Sequence, residues 1–219
     1  MYIQKKVLMC MDANTILHNL RNVIKNPKGE LNYTTPFELL VAVMLSSQCT
    51  DKRVNMVTST LFKKYSTPKD FANADTQELK NAISSINYFN TKAIRLKEMS
   101  QMLLDKYGGE VPSSIDELVK LPGVGRKSAS VVMVEALNQS AMPVDTHVFR
   151  VARRLNLSKS NTVLGVEKDL RNVFDENVYD YKELHHLLIL FGRYYCKAVN
   201  PSCKECKFRN ICTEVNKCF

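Results

Sequence analysis

Three groups of residues in this chain have the types and spacing that chemistry needs. The first is Cys196, Cys203, Cys206 and Cys212, spaced C-x6-C-x2-C-x5-C with Pro201 between them. Four thiolates on short loops can surround one metal centre. Tetrahedral zinc is the generic expectation, and a [4Fe-4S] cluster takes the same number of thiolates. Spacing alone does not choose between them. The second group is the string Leu121-Pro122-Gly123-Val124-Gly125-Arg126-Lys127-Ser128-Ala129, and the third is Val144-Asp145-Thr146-His147-Val148-Phe149-Arg150.

The second string reads as a helix broken at Pro122, a tight turn and a new helix that opens with Arg126 and Lys127. Amides at a helix N-terminus and the helix dipole suit a phosphate oxygen. The glycines let the backbone take positive φ and approach a ligand closely. A plain corner between two helices is the alternative. Lys127 is either a second phosphate contact or a nucleophile. The dipole and partial burial by Val131 and Val132 would both depress its pKa and free its amine. Asp145 reads as the N-cap of the next helix, with a second oxygen left for other work. His147 is expected to make a local hydrogen bond at that helix start, His185 and His186 to be structural, and Tyr194 and Tyr195 to pack in the core.

Composition narrows the partner. Lys+Arg number 31 against 22 Asp+Glu, a net charge of +9 with a pI near 9.2. That favours an anionic partner, nucleic acid before membrane surface. No apolar run approaches a spanning helix, and Met1 to Met11 lack a signal-peptide core. A cytoplasmic protein is expected, nucleoid-associated if bacterial. Seven cysteines, an odd count crowded toward the C-terminus, argue for a metal site rather than a disulfide framework. Cys10 and Cys49 read as small buried residues, and Cys218 is spare. Lys197, Lys204, Lys207 and Arg209 form a basic rim around the cysteine loop, suited to phosphates or to solvation.

The elements that must position these groups are helical. Periodicity and capping signals predict about ten helices, near 12–24, 37–45, 51–65, 76–85, 92–107, 115–121, 126–138, 145–155, 165–174 and 182–195. Thr35-Pro36-Phe37-Glu38 reads as a capping box before a very apolar helix. Asp51 reads as a cap, Ser113, Ser114 and Glu117 as the caps of the short helix, and 87–90 as a loop. Strand alternation is absent, so the fold class is all-α.

Together these residues resemble the endonuclease III family of DNA base-excision-repair glycosylases, over nearly the whole chain from Asp12 to Cys212. The carriers are Glu38 to Gln48 with Thr50-Asp51, then Leu121 to Ala129, Val144 to Arg150 and the four-cysteine spacing. The resemblance implies a two-domain helix-hairpin-helix fold with DNA bound between the domains. One is a six-helix barrel at 29–139; the other joins 1–28 to 140–219 and holds a [4Fe-4S] cluster in the loop 196–212. It implies a DNA glycosylase and abasic-site lyase that flips out damaged bases, expected to be oxidised pyrimidines. The partner is double-stranded DNA carrying damaged bases or abasic sites, with no membrane and a monomeric chain. By the same resemblance Lys127 is the Schiff-base lysine, Asp145 the catalytic aspartate, and Gln48 fills the gap left by the flipped base. Further DNA contacts are expected from Tyr88, Pro122, Gly123, Val124, Gly125, Arg126 and Lys197. Asn87 stands where glycine is usual, Tyr88 where an aliphatic wedge is usual, Cys49 for alanine and Ser130 for asparagine, so lesion preference is open. A monofunctional adenine-excising relative would lack Lys127, and a non-catalytic DNA-binding module with structural zinc is the rival from another class.

Overall fold

The computed structural model describes residues 12–214. The start-site and signal-peptide readings at Met1 to Met11, and Cys10 and Cys218, lie outside the described residues. Among those described there are eleven α-helices and no strand. They are α1 Ala13–Val23, α2 Pro36–Ser46, α3 Asp51–Lys64, α4 Pro68–Asn73, α5 Thr76–Ala82 and α6 Phe89–Tyr107, then α7 Ile115–Leu118, α8 Arg126–Ala136, α9 Thr146–Arg154, α10 Val163–Val173 and α11 Tyr181–Tyr194. The chain divides into two compact units, Gly29–Ala141 and Met1–Lys28 with Met142–Phe219.

The first unit is built around α2. Every residue from Phe37 to Leu45 is buried, as expected of a helix that is apolar on all sides. Each large apolar side chain so buried contributes about 1.5–3 kcal/mol. Thr35 Oγ1 caps Glu38 N at 3.1 Å. The reciprocal half of the box shifts by one residue, because Glu38 Oε2 accepts from Thr34 N at 2.6 Å. Helix α4 was not expected, although Thr67 and Asp70 form a full capping box around Pro68. Its Phe71 is fully buried and meets Phe37 edge-on at 5.5 Å. Three start signals also differ from expectation. Thr50, not Asp51, caps α3. Helix α6 begins at Phe89, because Tyr88 enters it from left-handed backbone. Ser114 makes no side-chain cap to α7.

The second unit is built around α11, whose residues Leu184 to Gly192 are buried. Helix α9 crosses it closely at Gly192, where a Cβ would come within 2.8 Å of His147 Cβ. Helix α1 is tied on by a two-pronged ion pair, Arg21 Nε to Glu183 Oε1 at 2.7 Å and NH2 to Oε2 at 2.6 Å. Tyr194 and Tyr195 do not pack in the core; they are 53% and 39% exposed, because α11 ends there and the buried stripe ends with it.

The Arg21 pair carries a pH signature. The hydrogen-bonded guanidinium holds the Glu183 carboxyl below its ordinary value. A carboxyl with a depressed folded pKa contributes stability above its unfolded pKa and loses it as pH falls through the folded one. Arg21 stays protonated throughout. Arg21→Ala should therefore lower stability at neutral pH and make the decline between about pH 5 and pH 3 shallower. Denaturant titrations at several pH values check this; parallel curves for the two proteins would refute it.

Candidate functional site

In the hairpin, α7 ends and the turn closes with Leu121 N donating to Leu118 O and Val124 N to Leu121 O, at 3.1 and 3.0 Å. Gly123 takes φ +84°, and a Cβ there would meet Met44 Sδ at 2.6 Å. Gly125 differs from the expectation for it. Its φ is −91°, and a Cβ would meet nothing within 4 Å. Only Gly123 is therefore required by backbone geometry; Gly125 faces open space. As N-cap of α8, Gly125 supplies no side-chain cap, so the first-turn amides have neither an intrahelical acceptor nor a capping oxygen from that residue. Val124 is buried and its amide is consumed in the turn, so it shapes the hairpin rather than presenting itself. Pro122 is half-buried and Arg126 is exposed.

Lys127 is also exposed, which corrects the expected shelter by Val131 and Val132. Those valines are buried because they lie deeper along α8, whereas Lys127 sits in its open first turn.

Two further loops of this unit meet. Gln48, exposed, follows the end of α2 with φ +55°, and Tyr88 precedes α6 with φ +60°. Tyr88 is 65% exposed. Asn87 Nδ2 donates to Gln48 O at 2.5 Å. Lys92, on α6, is buried and donates to Leu45 O at 2.9 Å and Ser47 O at 2.7 Å. Cys49 is half-buried rather than a core residue. Sequence reading missed the roles of Asn87 and Lys92, since no local spacing links positions so far apart.

In the other unit Asp145 caps α9. Its Oδ1 accepts from His147 N at 2.9 Å and Val148 N at 2.8 Å. Oδ2 has no hydrogen bond among the described residues, so the cap leaves one carboxylate oxygen for other work. His147 Nδ1 lies 3.1 Å from Arg150 NH2. Arg150 also donates to Gly192 O at 2.7 Å and Cys196 O at 3.0 Å. Arg154, one turn on, donates to Lys197 O at 2.7 Å and lies 3.5 Å from Cys196 Sγ. The helix that Asp145 starts is thus clamped to the cysteine loop by two arginines. Their i, i+4 spacing was the available signal. His185 and His186 are buried, and His185 Nδ1 lies 3.1 Å from Pro143 O.

The cysteine loop folds on Phe208, fully buried and edge-on to Phe191 at 5.3 Å. No disulfide joins Cys196, Cys203, Cys206 and Cys212; all are half-buried. They line one cavity of about 460 Å³, with Arg154 and Phe191 in its wall. Among the described residues no three His, Cys, Asp or Glu converge to hold a metal ion. Lys197, Lys204, Lys207 and Arg209 are exposed on this loop.

Comparison with known proteins places this geometry. The model of the HhH-GPD superfamily base excision DNA repair proteins matches residues 41–176. Endonuclease III of Bacillus subtilis (strain 168) is 44% identical over 214 residues, 97% of this chain and 94% of the relative. That of Rickettsia prowazekii (strain Madrid E) is 46% identical over 186 residues, 85% and 87% of the two. A trapped endonuclease III–DNA covalent intermediate superposes with a TM-score of 0.87 at 42% identity, covering 99% of both chains. A non-covalent endonuclease III–DNA complex gives 0.88 at 44%, covering 93% and 95%. No helix among the described residues is long and apolar enough to cross a membrane. With its all-α fold, its glycine hairpin and matches along almost its full length, the chain belongs to the endonuclease III family of base excision repair DNA glycosylases and abasic-site lyases.

Proposed function

We propose that this chain excises damaged bases from double-stranded DNA, oxidised pyrimidines first, and cleaves the strand through Lys127 and Asp145. The observation that carries the reading is an exposed lysine in the first turn of a helix whose N-cap is a bare glycine. The positive end of a helix with no side-chain cap holds a phosphate beside the amine. A base inside a duplex is out of reach, so it is extruded first. The Lys127 amine attacks C1′ of the sugar, and the N-glycosidic bond breaks with its electrons leaving on the base. The C1′–O4′ bond then opens with a proton passing to O4′, and the iminium so formed between Lys127 and C1′ acidifies the C2′ proton. Loss of that proton expels the 3′ phosphate by β-elimination. Asp145 takes the proton from the attacking amine or offsets positive charge on the sugar, and its uncommitted Oδ2 suits either task. Gln48 and Tyr88 act on the duplex where the base leaves, and Lys197 with the loop lysines contacts phosphates.

We assign the division of labour as a six-helix barrel at 29–139 and a cluster domain formed by 1–28 with 140–219. Family membership implies an iron–sulfur cluster, and we assign it as [4Fe-4S] on Cys196, Cys203, Cys206 and Cys212. Four thiols lining one cavity, together with the family membership, support that choice. Bound there, the cluster supplies iron–sulfur bonds that cross-link the loop. The bacterial relatives suit a cytoplasmic, nucleoid-associated protein, which we take to act as a monomer.

Several measurements test this reading. Borohydride should trap a covalent adduct between the chain and abasic DNA, and Lys127→Ala should abolish it. Asp145→Asn should slow base excision by at least about a hundredfold while retaining DNA binding. Trapping by the alanine variant would move the nucleophile elsewhere. The purified chain should show iron–sulfur absorption with about four irons, lost in Cys203→Ser; a colourless protein holding one zinc would overturn the cluster. Gly123→Ala should destabilise the fold by about 1–3 kcal/mol. Gly125→Val should leave stability within about 0.5 kcal/mol yet weaken duplex binding by about tenfold or more. Unchanged affinity in the valine variant would remove the hairpin from the DNA interface.

A further inference from the structure

We propose that Asn87 and Lys92 lock the Gln48 loop to the Tyr88 loop, so that the chain enters DNA with one preformed, two-pronged wedge. Asn87 is the positioning residue that sets Gln48. The inference rests on the lesion-processing function proposed above.

Lys92 supplies the base of the lock. A helix C-terminus leaves carbonyls without intrahelical partners and carries partial negative charge. Lys92 brings an ammonium to that end of α2 and donates to Leu45 O and Ser47 O at 2.9 and 2.7 Å. Its residue is only 6% exposed, and burial pushes its pKa down. A buried ammonium is kept only where it is paired, so these bonds pin the second turn of α6 to the end of α2. Cys49 N closes the same turn on Ser46 O at 3.0 Å.

Asn87 supplies the crossbar. Gln48 and Tyr88 are both non-glycine residues in left-handed backbone, at φ +55° and +60°. Each such residue costs about 1–2 kcal/mol and persists where its surroundings over-determine it. The bond from Asn87 Nδ2 joins the strained Gln48, at its carbonyl oxygen, to the residue just before the strained Tyr88. Tyr88 O in turn accepts from Lys92 N at 3.0 Å. The strained pair therefore shares one rigid base. The side chains carried on it are an exposed amide, Gln48, and an exposed aromatic ring, Tyr88. They are the types that replace a base's hydrogen bonds and unstack a base step. Ordering these loops before contact removes that cost from lesion binding.

The test is Asn87→Ala in the full chain. Asn87 is exposed, so its melting temperature should match that of the parent. Affinity for a duplex with a tetrahydrofuran abasic analogue should fall about five- to tenfold, the worth of one hydrogen bond, while affinity for the undamaged duplex changes by less than about twofold. Borohydride trapping on duplex abasic DNA, relative to single-stranded abasic DNA, should fall by a similar factor, since a single strand needs no wedge. Asn87→Asp places a carboxylate against a carbonyl and should lose at least as much. Equal lesion affinity in parent and alanine variant would overturn the lock, as would an equal loss on single strands. A parent chain inert on both abasic substrates would sink the proposed function and the lock with it, whereas an active parent with an unaltered variant would sink the lock alone.

Discussion

A helix end leaves up to four backbone groups without intrahelical partners, and the residues proposed to act in this chain sit where those ends are managed. Helix α8 opens on Gly125, which gives its amides no side-chain oxygen. Helix α9 opens on Asp145, which satisfies two amides with a single oxygen. Helix α2 closes on the Lys92 ammonium. The end of α11 and the loop after it are held by Arg150 and Arg154. An N-terminus without a side-chain cap suits an anion, one satisfied by a carboxylate holds that carboxylate still, and a C-terminus met by a buried cation fixes the loop beyond it. One constraint, met in different ways, shapes the hairpin, the Asp145 cap and the Gln48 loop on which the proposed function rests.

Precision at those ends comes from close packing beneath them. Gly192 lets α9 approach α11 until a methyl group would not fit, and the same carbonyl accepts from Arg150. Gly123 does the equivalent in the first unit, where Met44 of the central helix fills the space a side chain would need. The glycines therefore do different jobs. Gly123 and Gly192 serve the protein's own packing, whereas Gly125 faces open space.

The helical content was legible because apolar periodicity and caps are local. Ten of the helices carried such signals. The eleventh, α4, has only Phe71 as its buried anchor, too little for a pattern, although its capping box was readable. Helix ends were less legible. Tyr88 starts α6 from left-handed backbone that a tyrosine adopts only under tertiary constraint, and Thr50 displaces Asp51 because both are competent caps. Burial at helix ends was misread for Lys127 and for Tyr194 and Tyr195, since periodicity gives a side chain's face but not where the packing partner stops.

By itself the sequence determined the helical class, the anionic partner, the candidate nucleophile and acid, and the four thiols. Those depend on residue type and short spacing, which chemistry reads directly. Tertiary structure decided which glycine is required by the fold and which is open, and which oxygen of Asp145 the cap consumes. It decided that the four cysteines line one cavity. It also brought Asn87 to Gln48 and Lys92 to the end of α2. Those facts rest on contacts between residues distant in the chain, and contact is a property of packing that no local pattern encodes.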